Sequence, residues 1–233
     1  MHDDVISGTA AKKADLIAMG ELGLDSLTLM ETASRTVADY IEQRHSRTDV
    51  RVISLCGVGN NGADGICIAR LLKEAGYRTG ALIVGDLRKA SWEFLYQLAM
   101  YKRRGGEVSF YSAGEAAALP GDPLAIAEKG DEDTVLVDAL FGIGLKREIG
   151  GDYRSCMAET GSRHFLETVA VDAPSGINTD TGEIMGIALH ADTTITFGRN
   201  KTGLVCGDGP SYAGNVIVMD IGIPDEAYRK AVL

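Results

Sequence analysis

Cysteine is scarce in this sequence: four residues (Cys56, Cys67, Cys156 and Cys206), with no C-x-x-C pair among them. That spacing argues against a disulfide framework and for reduced thiols. Histidine is equally sparse, at four scattered positions (His2, His45, His164 and His190), which argues against a zinc site. No apolar run approaches the roughly 18 residues of a membrane span. The opening Met1 to Lys13 carries no apolar signal segment, so secretion is not expected and the cytoplasm is the expected location. Basic residues are in deficit, 23 Lys plus Arg against 33 Asp plus Glu, and the resulting formal charge of −10 disfavours nucleic acid as a partner.

What is present is ordinary globular material, 45% hydrophobic and 24% charged, enough to bury a core and exclude disorder. Within the 233 residues no linker, repeat or low-complexity break appears, so residues 1–233 are read as one domain. Glycine is the unusual count, 29 residues, well above the average of about 7%. The glycines cluster, and the clusters punctuate an alternation of strands and helices.

Residues 14–44 read as two helices broken near Gly20 and Gly23, with Asp25 or Ser26 capping the second. Strands are expected at 51–56, 78–84, 107–111, 134–139, 168–173, 193–197 and 215–221, and helices at 64–75, 91–103, 152–162 and 224–230. The Ala-, Gly- and Pro-rich segment 112–131 allows one short helix near Leu124. The runs ending Val137-Asp138-Ala139 and Val171-Asp172-Ala173 lack alternation, as suits parallel strands covered on both faces. The pattern is that of an α/β fold, a doubly wound sheet.

Four constellations carry potential chemistry. Gly57-Val-Gly-Asn-Asn-Gly62 satisfies G-x-G-x-x-G between a strand and a helix, the setting of a dinucleotide fingerprint. Asp86 would supply the ribose contact of a dehydrogenase, whereas Asp64, read as capping the helix, would compete with a pyrophosphate there. Asp138 and Asp172 each end a buried strand before a glycine loop, the edge where open α/β sheets bind ligands. Ser175 does not fit G-x-S-x-G, but its hydroxyl, the Asn61 amide oxygen and Asp138 offer hard oxygens suited to a non-transition cation. Arg199 and Lys201 follow a late strand, either as positive charge for an anionic ligand or as solvated loop charges.

Taken together, Gly57 to Gly65, Val137 to Gly142, Asp172 to Gly176, Ala191 to Lys201 and the leader Leu29-Met-Glu-Thr-Ala-Ser34 resemble the YjeF N-terminal domain family over about residues 14–224. The resemblance implies a Rossmann-like, mostly parallel, three-layer fold with helices on both faces. It also implies an isomerase, an NAD(P)H-hydrate epimerase, that inverts the hydrated carbon of NADHX and NADPHX for nicotinamide nucleotide repair. The nicotinamide dinucleotide is then substrate and not cofactor, a homodimer is expected, and a separate dehydratase completes the repair. No dehydratase sequence appears before Leu233, so a standalone form is expected.

Carried over by this resemblance, substrate contacts fall on Asn60, Asn61, Gly62, Ala63 and Asp64, on Gly142, Ile143, Gly144, Leu145, Lys146, Arg147 and Glu148, and on Asp172. Potassium ligands fall on Asn61, Asp138 and Ser175. Two positions depart from the family pattern: Ala63 and Ser34 stand where glycine is usual. The Ala63 methyl is expected to narrow the pocket. The substrate carbon is a hemiaminal, so inversion opens and recloses a C–O or C–N bond and needs a proton donor and acceptor. Asp138 or Asp172 would serve as the catalytic shuttle, with Lys146 a weaker candidate. Two other classes remain open at this point: a non-catalytic nucleotide- or RNA-binding scaffold, and an NAD-dependent dehydrogenase.

Overall fold

A computed structural model describes residues 5–112 and 131–233. A two-residue strand, β1 (Val5–Ile6), leads into helix α1 (Gly8–Gly20). Then follow α2 (Ser26–Arg44), β2 (Arg51–Cys56), α3 (Asn60–Glu74), β3 (Arg78–Ile83), α4 (Trp92–Arg103) and β4 (Glu107–Phe110). The second half carries β5 (Asp131–Ala139), α5 (Gly151–Gly161), β6 (Phe165–Val171), β7 (Thr193–Phe197) and β8 (Asn200–Lys201). Two short helices, α6 (Thr202–Val205) and α7 (Gly209–Ala213), precede β9 (Asn215–Met219) and α8 (Asp225–Ala231).

Side-chain caps set the starts of α1, α2 and α4. The Ser7 hydroxyl accepts the Ala10 N–H at 3.0 Å, Asp25 accepts Thr28 N–H at 2.8 Å, and Ser91 accepts Phe94 N–H at 3.2 Å. Each satisfies a donor that the first helical turn leaves unpaired. Helix α3 has no such cap: Gly59 precedes it and no side chain takes its first N–H groups.

Seven strands form one sheet in the order β4-β3-β2-β5-β6-β7-β9, every neighbouring pair parallel. The chain winds outward in one direction through β3 and β4, then in the other from β5. The strand order therefore reverses between β2 and β5, where Cys56 pairs with Ala139. Alternate residues of β2 serve opposite faces. Val52 joins Val37 and Ile41 of α2 and Ile68 and Leu71 of α3, while Phe94 and Tyr101 of α4 close that face against Cys56 and Ile83. Ile53 and Leu55 meet Cys156 and Met157 of α5, together with Leu145, Ile149 and Leu189 from irregular chain. Burial on both faces is why these strands read as unbroken apolar runs. Apart from the sheet, α1 packs on α8 through Ala14, Ile17, Ala18, Ala227 and Ala231.

The doubly wound three-layer architecture agrees with the sequence reading, with corrections of detail. Helix α3 begins at Asn60, four residues before the expected Asp64, so Asp64 lies inside the helix and caps nothing. Strand β6 stops at Val171, and Asp172 turns the chain with a φ of 68°, the left-handed region L residues rarely adopt. The expected short helix near Leu124 lies outside the described residues. The parallel β1–β8 ladder, in which Ile6 pairs with Lys201, was not foreseen. Among the described residues no helix is long and apolar enough to cross a membrane.

Candidate functional site

A cavity of about 530 Å³ opens over the carboxyl ends of β2, β5 and β6, at the point where the strand order reverses. Open α/β sheets bind ligands at such a crevice because the loops leaving the two central strands part there. Two glycines let those loops approach. A methyl on Gly57 would stand 2.3 Å from the Leu140 carbonyl oxygen, and one on Gly62 1.7 Å from that of Gly57. The glycine run thus folds the β2–α3 turn against the β5 loop and presents the uncapped start of α3 to the cavity. Free N–H groups and the helix dipole make that end an anion site.

Of the expected substrate residues, Asn60, Asn61 and Asp64 line the cavity, as do Gly142, Ile143, Gly144, Leu145 and Asp172. Gly62 and Ala63 do not. Ala63 is fully buried within α3, its methyl in the apolar cluster with Met30 and Ile66, so it does not narrow the pocket. Lys146, Arg147 and Glu148 are exposed and off the cavity wall. Lys146 pairs with Asp180 and donates to Thr9 Oγ1, which removes it as a proton shuttle and makes it a tie between its loop and the start of α1. Asp86, the ribose candidate, caps a turn and chelates Arg88 at the surface, where that guanidinium lowers its pKa to about 2. A dehydrogenase loses its ribose contact.

Asp138 has no exposed atom and is not on the cavity wall. It accepts the Ser175 N–H at 2.7 Å and the Ser175 hydroxyl at 2.5 Å, and that hydroxyl accepts Phe141 N–H at 2.9 Å. Among the described residues no cation pairs with it. Burial pushes its carboxyl up to about 6, and the Ser175 and Leu140 donors only partly offset this. Direct proton transfer from Asp138 to a molecule in the cavity is not the arrangement seen. Asn61, on the cavity wall, has its Oδ1 2.9 Å from where a Gly142 methyl would be, and its buried Nδ2 has no partner. Asp138, Ser175 and Asn61 offer a carboxylate, a hydroxyl and an amide oxygen, all hard donors. An uncompensated buried carboxylate beside neutral oxygens fits a hard monovalent cation. Among the described residues no three of His, Cys, Asp and Glu gather as a metal cluster.

Asp172 is both on the wall and fixed. Lys201 Nζ donates to its Oδ1 at 2.7 Å, to Thr196 Oγ1 at 2.9 Å and to the Phe197 carbonyl at 2.8 Å, and Thr196 Oγ1 donates to the same Oδ1 at 3.1 Å. Lys201 is therefore no solvated loop charge: it is 2% exposed and every ammonium proton is engaged. Arg199 instead pairs with Asp225 and lies over the Tyr228 ring. Ser34, at the position where glycine was expected, is buried and donates to the Asp64 carbonyl at 3.3 Å, tying α2 to α3. Four residues the sequence reading passed over also line the cavity: Asp15 and Met19 of α1, Glu93 of α4 and Tyr228 of α8. The only sequence signal for Asp15 is an acid set among the small apolar residues of an amphipathic helix. Its carboxyl is raised to about 7 by burial first and then by the charge of Asp172, against the opposing pull of Lys201. Burial and the charges of Asp172, Asp15 and Glu93 likewise hold Asp64 well above the usual carboxylate range.

A sequence profile of the family described as YjeF-related protein N-terminus matches residues 26–203. The chain belongs to the YjeF N-terminal family. Among its relatives, the NAD(P)H-hydrate epimerase of Limosilactobacillus fermentum (strain NBRC 3956 / LMG 18251) is 39% identical over 220 residues, covering 94% of this chain and 98% of that protein. The NAD(P)H-hydrate epimerase of Leuconostoc citreum (strain KM20) is 36% identical over 222 residues, or 94% and 90% of the two chains. The bifunctional NAD(P)H-hydrate repair enzyme Nnr of Salinibacter ruber (strain DSM 13855 / M31) is 35% identical, and the match takes 97% of this chain but 42% of that longer protein. The crystal structure of yeast ynu0 superposes with a TM-score of 0.80 over 99% of this chain and 94% of its own, at 21% identity, and so shares the fold. The profile begins in α2, so the YjeF span excludes α1 and α8, although both line the cavity.

Proposed function

We propose that this chain is an NAD(P)H-hydrate epimerase, interconverting the two epimers of hydrated NADH or NADPH. The observation that carries the reading is the uncapped N-terminus of α3 opening, at the strand-order reversal, onto a cavity walled by carboxyls of raised pKa. The helix end suits the pyrophosphate of a dinucleotide. A carboxyl that keeps a proton to about pH 7, as Asp15 does, suits acid–base chemistry at a hemiaminal carbon, where hydroxyl and ring nitrogen share one centre. The relatives named for this activity span nearly the whole chain and support the same reading.

In this reading Asn60 and the α3 N–H groups bind the phosphates, and the Gly142–Leu145 loop lies along the nucleotide. Asp172, held through Oδ1 by Lys201, orients substrate hydroxyls as an acceptor. Asp138, Ser175 and Asn61 would hold a potassium ion, which when bound neutralises the buried Asp138 charge and steadies the loops around it. The test is direct. Purified protein added to an unequal mixture of hydrated NADH epimers, followed by chromatography, is expected to drive it to equilibrium far faster than buffer does. No acceleration at millimolar potassium would overturn the reading.

A further inference from the structure

The carboxylates on the cavity wall are not equivalent. Asp172 is committed to Lys201 and Thr196. Asp15 and Asp64 take no hydrogen bond or ion pair from the described residues, and they come from different helices, α1 and α3. An acid that must exchange a proton with a ligand has to be both uncommitted and within reach of it. Asp138 fails on reach, and Asp172 is tied through Oδ1 to Lys201 and Thr196, whereas no donor among the described residues holds either oxygen of Asp15 or Asp64. That the wall awaits a polar ligand is independently indicated by the buried Asn61 Nδ2, which has no partner within the protein.

We propose that Asp15 is a catalytic proton-transferring residue of the epimerisation, with Asp64 its counterpart from the second helix. The proposal rests on the reading of the site as an epimerase. The charged and titratable groups that act on Asp15 are Asp172 at the end of β6, Lys201 of β8, Asp64 of α3 and Tyr228 of α8, with Lys12 on its own helix also on the wall. Burial and the Asp172 charge keep a proton on Asp15 to about pH 7, and Lys201 opposes them.

The step balances with these groups alone. Protonated Asp15 gives its proton to the hydroxyl of the hydrated carbon. The C–O bond breaks, its electron pair leaves with water, and the ring-nitrogen lone pair forms the C=N bond of a cation. Water then adds to the opposite face through an oxygen lone pair, the C=N pair returns to nitrogen, and the surplus proton passes to the Asp64 carboxylate. The hydroxyl has changed face and one proton has moved from Asp15 to Asp64. The reverse epimerisation uses the same two acids with roles exchanged, and solvent resets the pair. Such a pair works while it holds one proton between its members, so its titration belongs to the pair.

Wild-type protein must first equilibrate the epimers of hydrated NADPH; if it does not, the functional reading fails and this proposal falls with it. Given an active wild type, Asp15→Asn is expected to lower kcat by at least about a hundredfold, in the range of general acid–base contributions. NADP⁺ affinity, by titration calorimetry, should stay within about threefold, since the phosphate contacts lie elsewhere. Asp15→Glu should recover part of the rate. Wild-type kcat/KM should be bell-shaped with a limb near pH 7. An Asn variant within about tenfold of wild type, or one that loses NADP⁺ binding in step with turnover, would overturn the assignment. If the variant does not fold, the wild-type profile still decides: a flat kcat/KM across neutrality refutes the proposal.

Discussion

Asp138→Asn should stabilise the protein at alkaline pH when potassium is absent, against the ordinary expectation for a change at a fully buried position. The carboxyl sits at about 6 in the folded chain and near 3.9 when unfolded. Because the folded value is the higher, the folded state holds the proton more tightly. That stabilisation is fully present below about pH 4 and is lost as pH rises through about 6. Above that range, keeping the ionised group buried costs about 3 kcal/mol, from roughly two pKa units at 1.36 kcal/mol each. Asparagine removes the charge and can be accommodated. Its Oδ1 accepts the Ser175 N–H, and its Nδ2 donates to Ser175 Oγ once that hydroxyl turns its proton toward the Phe141 carbonyl, 3.4 Å away. Allowing about 1 kcal/mol for the weaker neutral hydrogen bonds, the variant should unfold about 2 kcal/mol harder at pH 8. For a chain of this length that is a rise in Tm of about 4–8 °C. At pH 4.5 the charge contribution shrinks below about 1 kcal/mol. Urea unfolding of both proteins at the two pH values in choline chloride measures the difference. Potassium chloride at equal ionic strength should raise wild-type stability and leave the variant unmoved, since the proposed potassium site needs both the folded chain and the Asp138 charge. A variant less stable than wild type at pH 8 in choline would refute the electrostatic argument.

Two glycine-related changes test the cavity wall. Ala63→Gly removes a buried methyl and puts glycine inside a helix, so it should cost about 2 kcal/mol in urea unfolding. NADP⁺ affinity should remain within about twofold, because the methyl faces the core; tighter binding without destabilisation would place the methyl at the ligand. Gly142→Ala adds a methyl 2.9 Å from Asn61 Oδ1 and 3.4 Å from Asp172 Oδ2. It should weaken NADP⁺ binding by about tenfold or more while stability changes by under about 1 kcal/mol, and calorimetric titration alongside a melting curve separates the two effects.

The seven main strands, the glycine turn and the two strand-end acids were legible in the sequence because they are local. An apolar run, a glycine pair and a following acid all lie within a few residues of one another. The start of α3 was misplaced because Asn60, Asn61 and Gly62 are residues that favour turns. In the structure that segment is the first turn of α3, packed so closely on Gly57 that a methyl on Gly62 would stand 1.7 Å from its carbonyl oxygen. The roles of Asp15 and Lys201 are not legible in the sequence for a different reason. A helical stripe shows that one face is buried but not what it faces, and a lysine three residues after a glycine looks solvated until its acceptors, on Asp172, Thr196 and Phe197, are known. The distinction between Asp138 and Asp172 was equally out of reach, since it depends on which side of Ser175 the cavity lies.

The β1–β8 ladder joins residues separated by nearly the whole chain, and α1 leans on α8 in the same way. Loop closure over such distances is entropically late, and non-local pairings form after the local ones that offset their cost. On the ribosome, α1 emerges before the sheet, yet its apolar face lacks its α8 partner until residues 225–231 have been made. The sheet with its glycine turn can form earlier, from contiguous βαβ units. The growing chain therefore passes through a stage with a complete sheet edge but a missing wall, and the binding chamber closes only when its two ends meet.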